Sequence, residues 1–254
     1  MTETVLITGA SSGFGEACAK KFAQPGYQLL LTARRLDRLE NLAAELRGKC
    51  PVQVAKLDVT EAGSIASFSN TLPADFKAVD ILINNAGLAL GLEPAQEAFL
   101  DDWETMIDTN IKGLIRMTRS VLPGMVERNH GHIINIASVA GSWPYPGGNA
   151  YGASKAFVQQ FSRNLRCDLL GKHIRVTNID PGMAETEFSN VRMKGDTEKA
   201  DKVYENTQPL SATDIADIIY WVTTVPAHVN INTLEVMPVC QAWSAFAIDR
   251  KMND

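Results

Sequence analysis

The chain has 254 residues, 45% of them hydrophobic, which is enough for a large core and is a common size for a single α/β domain. Its 24 basic and 29 acidic side chains give a formal charge of −5 with no block of like charge, which argues against a nucleic-acid surface or a binder of anionic membranes. No apolar run approaches the ~20 residues of a membrane span, an apolar run begins too early to leave room for a signal peptide, and Cys18, Cys50, Cys167 and Cys240 lie far apart as reduced packing residues would, so a cytoplasmic protein is expected.

Short runs rich in Val, Ile and Leu alternate with segments of helical period. In chain order they are strand TVLIT (4–8), helix GFGEACAKKFAQ closed by Pro25-Gly26, strand YQLLLT (27–32), a helix from Arg34 to Arg47 ending at Gly48, and strands VQVAKL (52–57) and VDILIN (79–84). The second half continues with a long helix DDWETMIDTNIKGLIRMTRSVL reaching Pro123, strand HIINIAS (132–138), helix AYGASKAFVQQFSRNLRCDLLG ending near Gly171, and strand IRVTNI (174–179). Helix SATDIADIIYWVTT, opened by an N-cap box of Ser211 and Asp214, leads to the last strand, NTLEVM (232–237). The alternation predicts repeated βαβ units over 1–254: one α/β, Rossmann-type, doubly wound domain whose seven-stranded parallel sheet has helices on both faces.

Residues 183–210 break this rhythm. The segment is polar, long and placed directly after a strand, which suits a substrate lid. A surface insertion with short helices is the competing reading.

TGASSGFG (8–15) follows the first strand and opens the first helix, so Gly9, Gly13 and Gly15 stand where backbone approaches a ligand. The helix N-terminal amides around Ala10, Ser11, Ser12 and Phe14 are placed for a pyrophosphate. The same residues spell GASSG, a formal match to the nucleophile elbow of serine hydrolases. Only eight residues precede Gly9, too few for the oxyanion loop such an elbow needs.

The end of the second strand reads the 2′ position of a bound dinucleotide, and NAD sites place a carboxylate there. This chain has Arg34 and Arg35 instead, two guanidiniums suited to a 2′-phosphate and disfavoured by the helix dipole without one, so NADP is favoured over NAD. Asp58 and the backbone of Val59, after the third strand, are placed for the adenine edge; Asp58 is equally suited to cap the next helix. His130, His132, His173 and His228 form no ligand pattern, so no metal is expected.

Tyr151 and Lys155 lie four apart on a helix and share a face. A free phenol has a pKa of ~10, and a neighbouring ammonium together with an oxidised nicotinamide would lower it towards the working range, making Tyr151 a general acid/base. Ser138, at the carboxyl end of the fifth strand, can bond a substrate oxygen as charge develops.

Together TGASSGFG, NNAG (84–87), Asn110 in DTNIKG, Ser138, YGASK (151–155) and Pro181-Gly182 with Thr186 resemble the short-chain dehydrogenase/reductase family, in order and spacing, over nearly the whole chain. The resemblance implies that Lys155 also bonds the nicotinamide ribose, that Asn110 holds a proton-relaying water, and that Asn85 contacts the cofactor. It also implies that backbone from Pro181 through Gly182 and Met183 to Thr186 meets the nicotinamide carboxamide.

A closer resemblance runs through GLALGLEPA (87–95), DDWETMIDTN (101–110), AGSWPYPGGNAYGASKAF (140–157) and AHVNINTLEVMP (227–238). These segments look like the NADP-dependent 3-hydroxy acid dehydrogenases, a group acting on serine, L-allo-threonine and malonic semialdehyde. That implies a small 3-hydroxy acid or semialdehyde substrate, a homotetramer, and a cation for the carboxylate. A carbonyl reductase of broader aldehyde and ketone range is the alternative. Arg192 and Lys194 in the lid are the candidates, with Arg192 preferred for bidentate contact or else simply solvated. Trp143 and Tyr145 either wall the pocket or pack.

Overall fold

The computed structural model describes residues 2–243; residue 1 and residues 244–254, which the single-domain expectation includes, lie outside the described residues. In chain order the strands are β1 (Glu3–Thr8), β2 (Tyr27–Ala33), β3 (Val52–Lys56), β4 (Ile81–Asn84), β5 (Gly131–Ile136), β6 (Ile174–Pro181), the two-residue β7 (Ala184–Glu185) and β8 (Leu210–Ser211), and β9 (Thr233–Val236). Seven of them form one parallel sheet, as the apolar runs predict, and its order is β3-β2-β1-β4-β5-β6-β9. β7 and β8 pair with each other, also in parallel, at the two ends of the 183–210 segment.

The interior strands lack polar alternation because both faces are covered, whereas the edge strands β3 (VQVAK) and β9 (TLEV) alternate. Val5 and Ile7 of β1 point into a cluster with α1 (Gly13–Phe22), α2 (Leu36–Leu46) and α9 (Ala212–Thr224). Leu6 points the other way, into a cluster with α3 (Ala62–Thr71), α5 (Leu114–Arg128) and α6 (Asn149–Asp168). Phe22 ties α1 to α9: it is fully buried, with edge-to-face contacts of 5.3 Å to both Tyr27 and Tyr220. Burying such a side chain contributes roughly 1.5–3 kcal/mol.

β1 has β2 on one side and β4 on the other, so the chain reverses its direction of travel across the sheet there. In open α/β sheets the crevice at the carboxyl ends of such strands receives ligands. The glycine turn after β1 and NNAG after β4 flank it.

Three features depart from the sequence expectation. α2 begins at Leu36, with Arg35 extended at its N-cap (φ −89°, ψ 87°), so the arginines precede the helix instead of opening it. The long helix is α4 (Leu100–Ile107), one π-helical turn over Asp108–Gly113, and α5, which continues through Pro123 to Arg128. Proline removes one backbone donor and costs ~3 kcal/mol in a helix interior. Burial of Met125, with Leu122 and Val126 packed against the same cluster, offsets that cost. The helix stops at left-handed Asn129 (φ 51°), where the His130 amide reaches back to the Met125 carbonyl over 3.1 Å. Last, only Cys18 and Cys50 are buried packing residues; Cys167, near the end of α6, and Cys240, in the turn after β9, are exposed, and all four thiols are free.

The Ser211–Asp214 capping box forms as expected, each side chain bonded to the other's backbone amide. Between β7 and β8 the chain makes two short helices, α7 (Phe188–Arg192) and α8 (Thr197–Lys202).

Candidate active site

Gly9 and Gly13 adopt φ of 67° and 55°, the left-handed region that favours glycine. A Cβ on Gly15 would overlap the Gly9 carbonyl and stand 2.6 Å from Asn85 Nδ2. Asn85 Nδ2 donates to the carbonyls of Thr8 and Gly9 at 2.9 and 3.2 Å, fastening the end of β4 to the turn after β1. Ser12 sits at the N-cap of α1 yet makes no cap bond. Its hydroxyl accepts from Arg35 Nη2 at 2.8 Å, and the Ser11 hydroxyl accepts from Arg35 Nε and Nη2 at 3.2 and 3.1 Å. The first-turn amides of α1 are thereby left for an anion, so the turn fits a pyrophosphate. The Ser11 hydroxyl faces a guanidinium and not an imidazole, which removes the hydrolase reading of GASSG.

A cleft of about 340 Å³ crosses the carboxyl edge of the sheet. On the β2–β3 side Arg34, Arg35, Asp58 and Val59 line it; in the middle Gly9, Ser11, Ser12, Gly13, Phe14 and Asn85 do. On the β5–β6 side come Ser138, Tyr151, Lys155, Pro181 and Gly182, with Thr186 from the segment beyond. Ala10 and Gly15 are buried beneath the turn and are not among the lining residues, and the Met183 amide is turned to Gln241 Oε1 at 2.7 Å. Asp58 Oδ1 accepts from both the amide and the hydroxyl of Thr60, at 2.9 and 2.8 Å, so its carboxylate caps the local turn while its position lines the cleft.

At the β5–β6 side, Ser138, Tyr151 and Lys155 are all buried. Lys155 Nζ donates to the Ile136 carbonyl at 2.9 Å and lies 5.7 Å from the Tyr151 ring centroid. Ser138 Oγ accepts from the Ala140 amide at 3.1 Å and donates to the Pro181 carbonyl at 3.4 Å. Burial pushes the Tyr151 phenol up to about 12, against the lowering effect of the Ser138 hydroxyl and the Arg192 charge. Burial likewise pulls Lys155 down to about 8, with Asp180 opposing. The expected lowering of the phenol by Lys155 is therefore not met in the protein alone, because desolvation acts on both groups and the ammonium is turned to a backbone carbonyl.

Asn110 lies in the π-helical turn, a geometry found mostly at functional sites. Its carboxamide is fully used: Oδ1 accepts from the Leu88 amide at 2.9 Å, and Nδ2 donates to the Leu88 carbonyl at 2.8 Å and Ser154 Oγ at 3.0 Å. A Cβ on Gly87 would stand 3.2 Å from Asn110 Oδ1 and 3.5 Å from Lys155 Nζ, so glycine there keeps the two polar groups uncrowded.

Beyond Pro181, Phe188 packs on Tyr151 with centroids 5.6 Å apart. Arg192 donates through Nη2 to Tyr145 Oη at 2.6 Å and through Nε to the Gly91 carbonyl at 3.3 Å, and its guanidinium carbon is 5.4 Å from the Tyr151 ring centroid. Lys194 points elsewhere, pairing with Asp102 at 2.7 Å. Of the two aromatic residues expected at the pocket, Tyr145 packs with Tyr151, whereas Trp143 is half-exposed and bonds Glu235 at 2.9 Å. Two residues the sequence reading missed are Arg38 and Glu187, which pair with each other at 2.6 Å, Glu187 also holding Arg35 at 3.1 Å. Their separation of 149 positions left no local signal.

A crevice at the sheet reversal, a glycine-rich turn with free helix amides and a Ser-Tyr-Lys cluster define a dinucleotide-dependent oxidoreductase fold and site. The sequence pattern of the family described as short chain dehydrogenase matches residues 3–196, and the chain belongs to that family. It is 57% identical over 248 residues to the NADP-dependent 3-hydroxy acid dehydrogenase YdfG of Escherichia coli (strain K12), covering 97% of this chain and 99% of that one. It is 56% identical over 251 residues to sulfoacetaldehyde reductase 2 of Chromohalobacter salexigens, covering 98% and 100%. Among solved structures, the closed form of serine dehydrogenase complexed with NADP+ superposes with a TM-score of 0.95 at 57% identity, covering 98% of this chain and 100% of that one.

Proposed function

We propose that the protein is an NADP-dependent dehydrogenase that interconverts the β-hydroxyl and carbonyl of small 3-hydroxy acids such as L-serine, L-allo-threonine, 3-hydroxyisobutyrate and 3-hydroxypropionate. The observation that carries this reading is the position of Arg192, whose guanidinium carbon lies 5.4 Å from the Tyr151 ring centroid, a cation beside the acid/base that suits a substrate carboxylate. Relatives named for 3-hydroxy acids and for NADP support it.

The bound nicotinamide supplies hydride acceptance or donation. Tyr151 Oη takes the hydroxyl proton in oxidation and returns it in reduction. Ser138 Oγ bonds the reacting oxygen as its charge changes. Lys155 supplies positive charge beside the phenol, which together with the charge of an oxidised nicotinamide would favour phenolate, and anchors the ribose. Asn110 braces the Leu88 loop against Ser154, so its side chain acts by positioning that loop, and the expected relay water falls to groups other than its carboxamide. Arg34 and Arg35 take the 2′-phosphate; the turn from Gly9 to Gly15 takes the pyrophosphate; Asp58, Val59 and Asn85 border the adenosine; Pro181 to Thr186 border the nicotinamide.

Segment 183–210 acts as the substrate lid of a single domain. Exposed Phe157, Ile107 and Trp221 on α6, α4 and α9 support subunit contacts in a homotetramer. Four free thiols suit a cytoplasmic setting. Among the described residues no helix is long and apolar enough to cross a membrane, and no group of His, Cys, Asp or Glu could hold a metal ion.

A second reading, a reductase of a broader range of short anionic aldehydes, is favoured by the sulfoacetaldehyde relative. Following NADP+ reduction with the four hydroxy acids and with isethionate, each repeated with NAD+, decides between them. Turnover confined to the carboxylates supports the first reading, and comparable turnover of isethionate the second. Equal or better rates with NAD+ would overturn the assignment of Arg34 and Arg35.

A further inference from the structure

One of the two arginines assigned to the ribose phosphate, Arg35, already holds an anion of the protein's own. Glu187, in the segment beyond Thr186, reaches Arg35 Nη1 with one oxygen at 3.1 Å and Arg38 Nη1 with the other at 2.6 Å. Three more donors of Arg35 go to Ser11 and Ser12, so four of its five N–H groups are engaged within the protein. Glu187 itself lines the cleft. The Arg38 guanidinium, and then Arg35, hold its carboxyl below the usual carboxylate range, so it stays ionised at neutral pH. With side chains at 41–45% exposure each pair contributes little to stability, and a purely structural role would be a weak one.

The geometry points to Glu187 as a built-in competitor for the ribose 2′-phosphate: a lid carboxylate that occupies Arg35 and Arg38 and is displaced when a 2′-phosphorylated dinucleotide binds. This rests on the NADP reading above. Two anions cannot share the Arg35 guanidinium without repulsion, so Glu187 weakens binding of phosphorylated dinucleotides and leaves unphosphorylated ones untouched. Displacement also unfastens the start of the lid from α2, so the form of the cofactor reports to the segment that carries Phe188 and Arg192. The device keeps NADP(H) exchangeable at a site whose arginines alone would hold it longer.

Calorimetric titration of NADPH, NADH, 2′,5′-ADP and 5′-ADP into wild type, Glu187→Gln and Glu187→Ala tests this. Both variants should tighten NADPH and 2′,5′-ADP by about three- to tenfold, as expected for removing a competing near-surface charge, with NADH and 5′-ADP unchanged. Glutamine keeps the shape of the side chain and alanine removes it, so agreement between them excludes a folding effect. Unchanged or weaker NADPH binding in both variants, in a wild type that prefers NADPH to NADH, would overturn the competitor role alone. A wild type without that preference would overturn the cofactor reading and this inference together.

Discussion

Lys155 Nζ donates to the carbonyl of Ile136 over 2.9 Å, so an ammonium in the middle of α6 is anchored to the last residue of β5. The bond fixes the cation at the carboxyl edge of the sheet, but burial makes its charge costly. Its pKa falls from 10.5 to about 8 in the folded chain. Between those values the unfolded chain binds more protons, so stability rises with pH across that window, and below it the folded chain carries the full cost of the buried charge. Lys155→Met removes the titration. In thermal unfolding without dinucleotide, the variant's midpoint relative to wild type should be highest near about pH 7 and fall towards about pH 10. A difference that does not vary with pH would show that the ammonium is not desolvated.

Tyr151→Phe keeps the packing on Phe188 and removes the hydroxyl. Turnover should fall by about 10²–10⁴-fold, the usual worth of a positioned acid/base. NADPH affinity by fluorescence titration should hold. Because burial raises the phenol to about 12, the free protein keeps it neutral throughout the ordinary pH range, and its stability contribution would be lost only as pH rises past the unfolded value towards that figure. The variant should therefore unfold with the same pH dependence as wild type near neutrality.

Arg192→Ala should raise KM for carboxylated substrates by about 10- to 100-fold, the loss expected for one charge-assisted contact. A neutral short aldehyde should lose little. Arg192→Lys should recover part of the difference, since a lysine keeps the charge without the planar fork. Equal KM changes for charged and neutral substrates would show instead that the residue only holds Tyr145 in place.

The sheet was legible because strands buried on both faces read as unbroken apolar runs, and the order of glycine turn, Asn85, Ser138, Tyr151 and Lys155 placed the cleft. What stayed hidden depends on tertiary balance. Pro123 looks like a stop, yet Met125 beyond it is fully buried and carries the helix on. Spacing puts Lys155 beside Tyr151 but says nothing of desolvation, which outweighs their mutual attraction. Arg34 and Arg35 advertise a phosphate site through their place after β2, whereas Glu187 becomes visible only when α2 and the lid are brought together. Arg192 and Lys194 are two residues apart in one segment, and only the fold shows that the first turns towards Tyr151 and the second towards Asp102.

Ser211→Ala breaks the capping box of α9 and should cost about 1 kcal/mol, lowering the unfolding midpoint by about 2–4 °C in a chain of this size. Calorimetry measures it directly. Ser211 is also in β8, so limited proteolysis between 183 and 210 should quicken in the same variant.

The parallel pairing of Ala184–Glu185 with Leu210–Ser211 ties the two ends of segment 183–210 together, with Tyr204 donating to the Ala184 carbonyl at 2.9 Å from within. A loop closed at its own neck can lengthen with little entropic penalty, about 0.6 kcal/mol for each doubling. Grafting the corresponding segment of a relative at this neck should therefore move substrate preference and the far wall of the cleft while the sheet that carries Ser138 stays as it is.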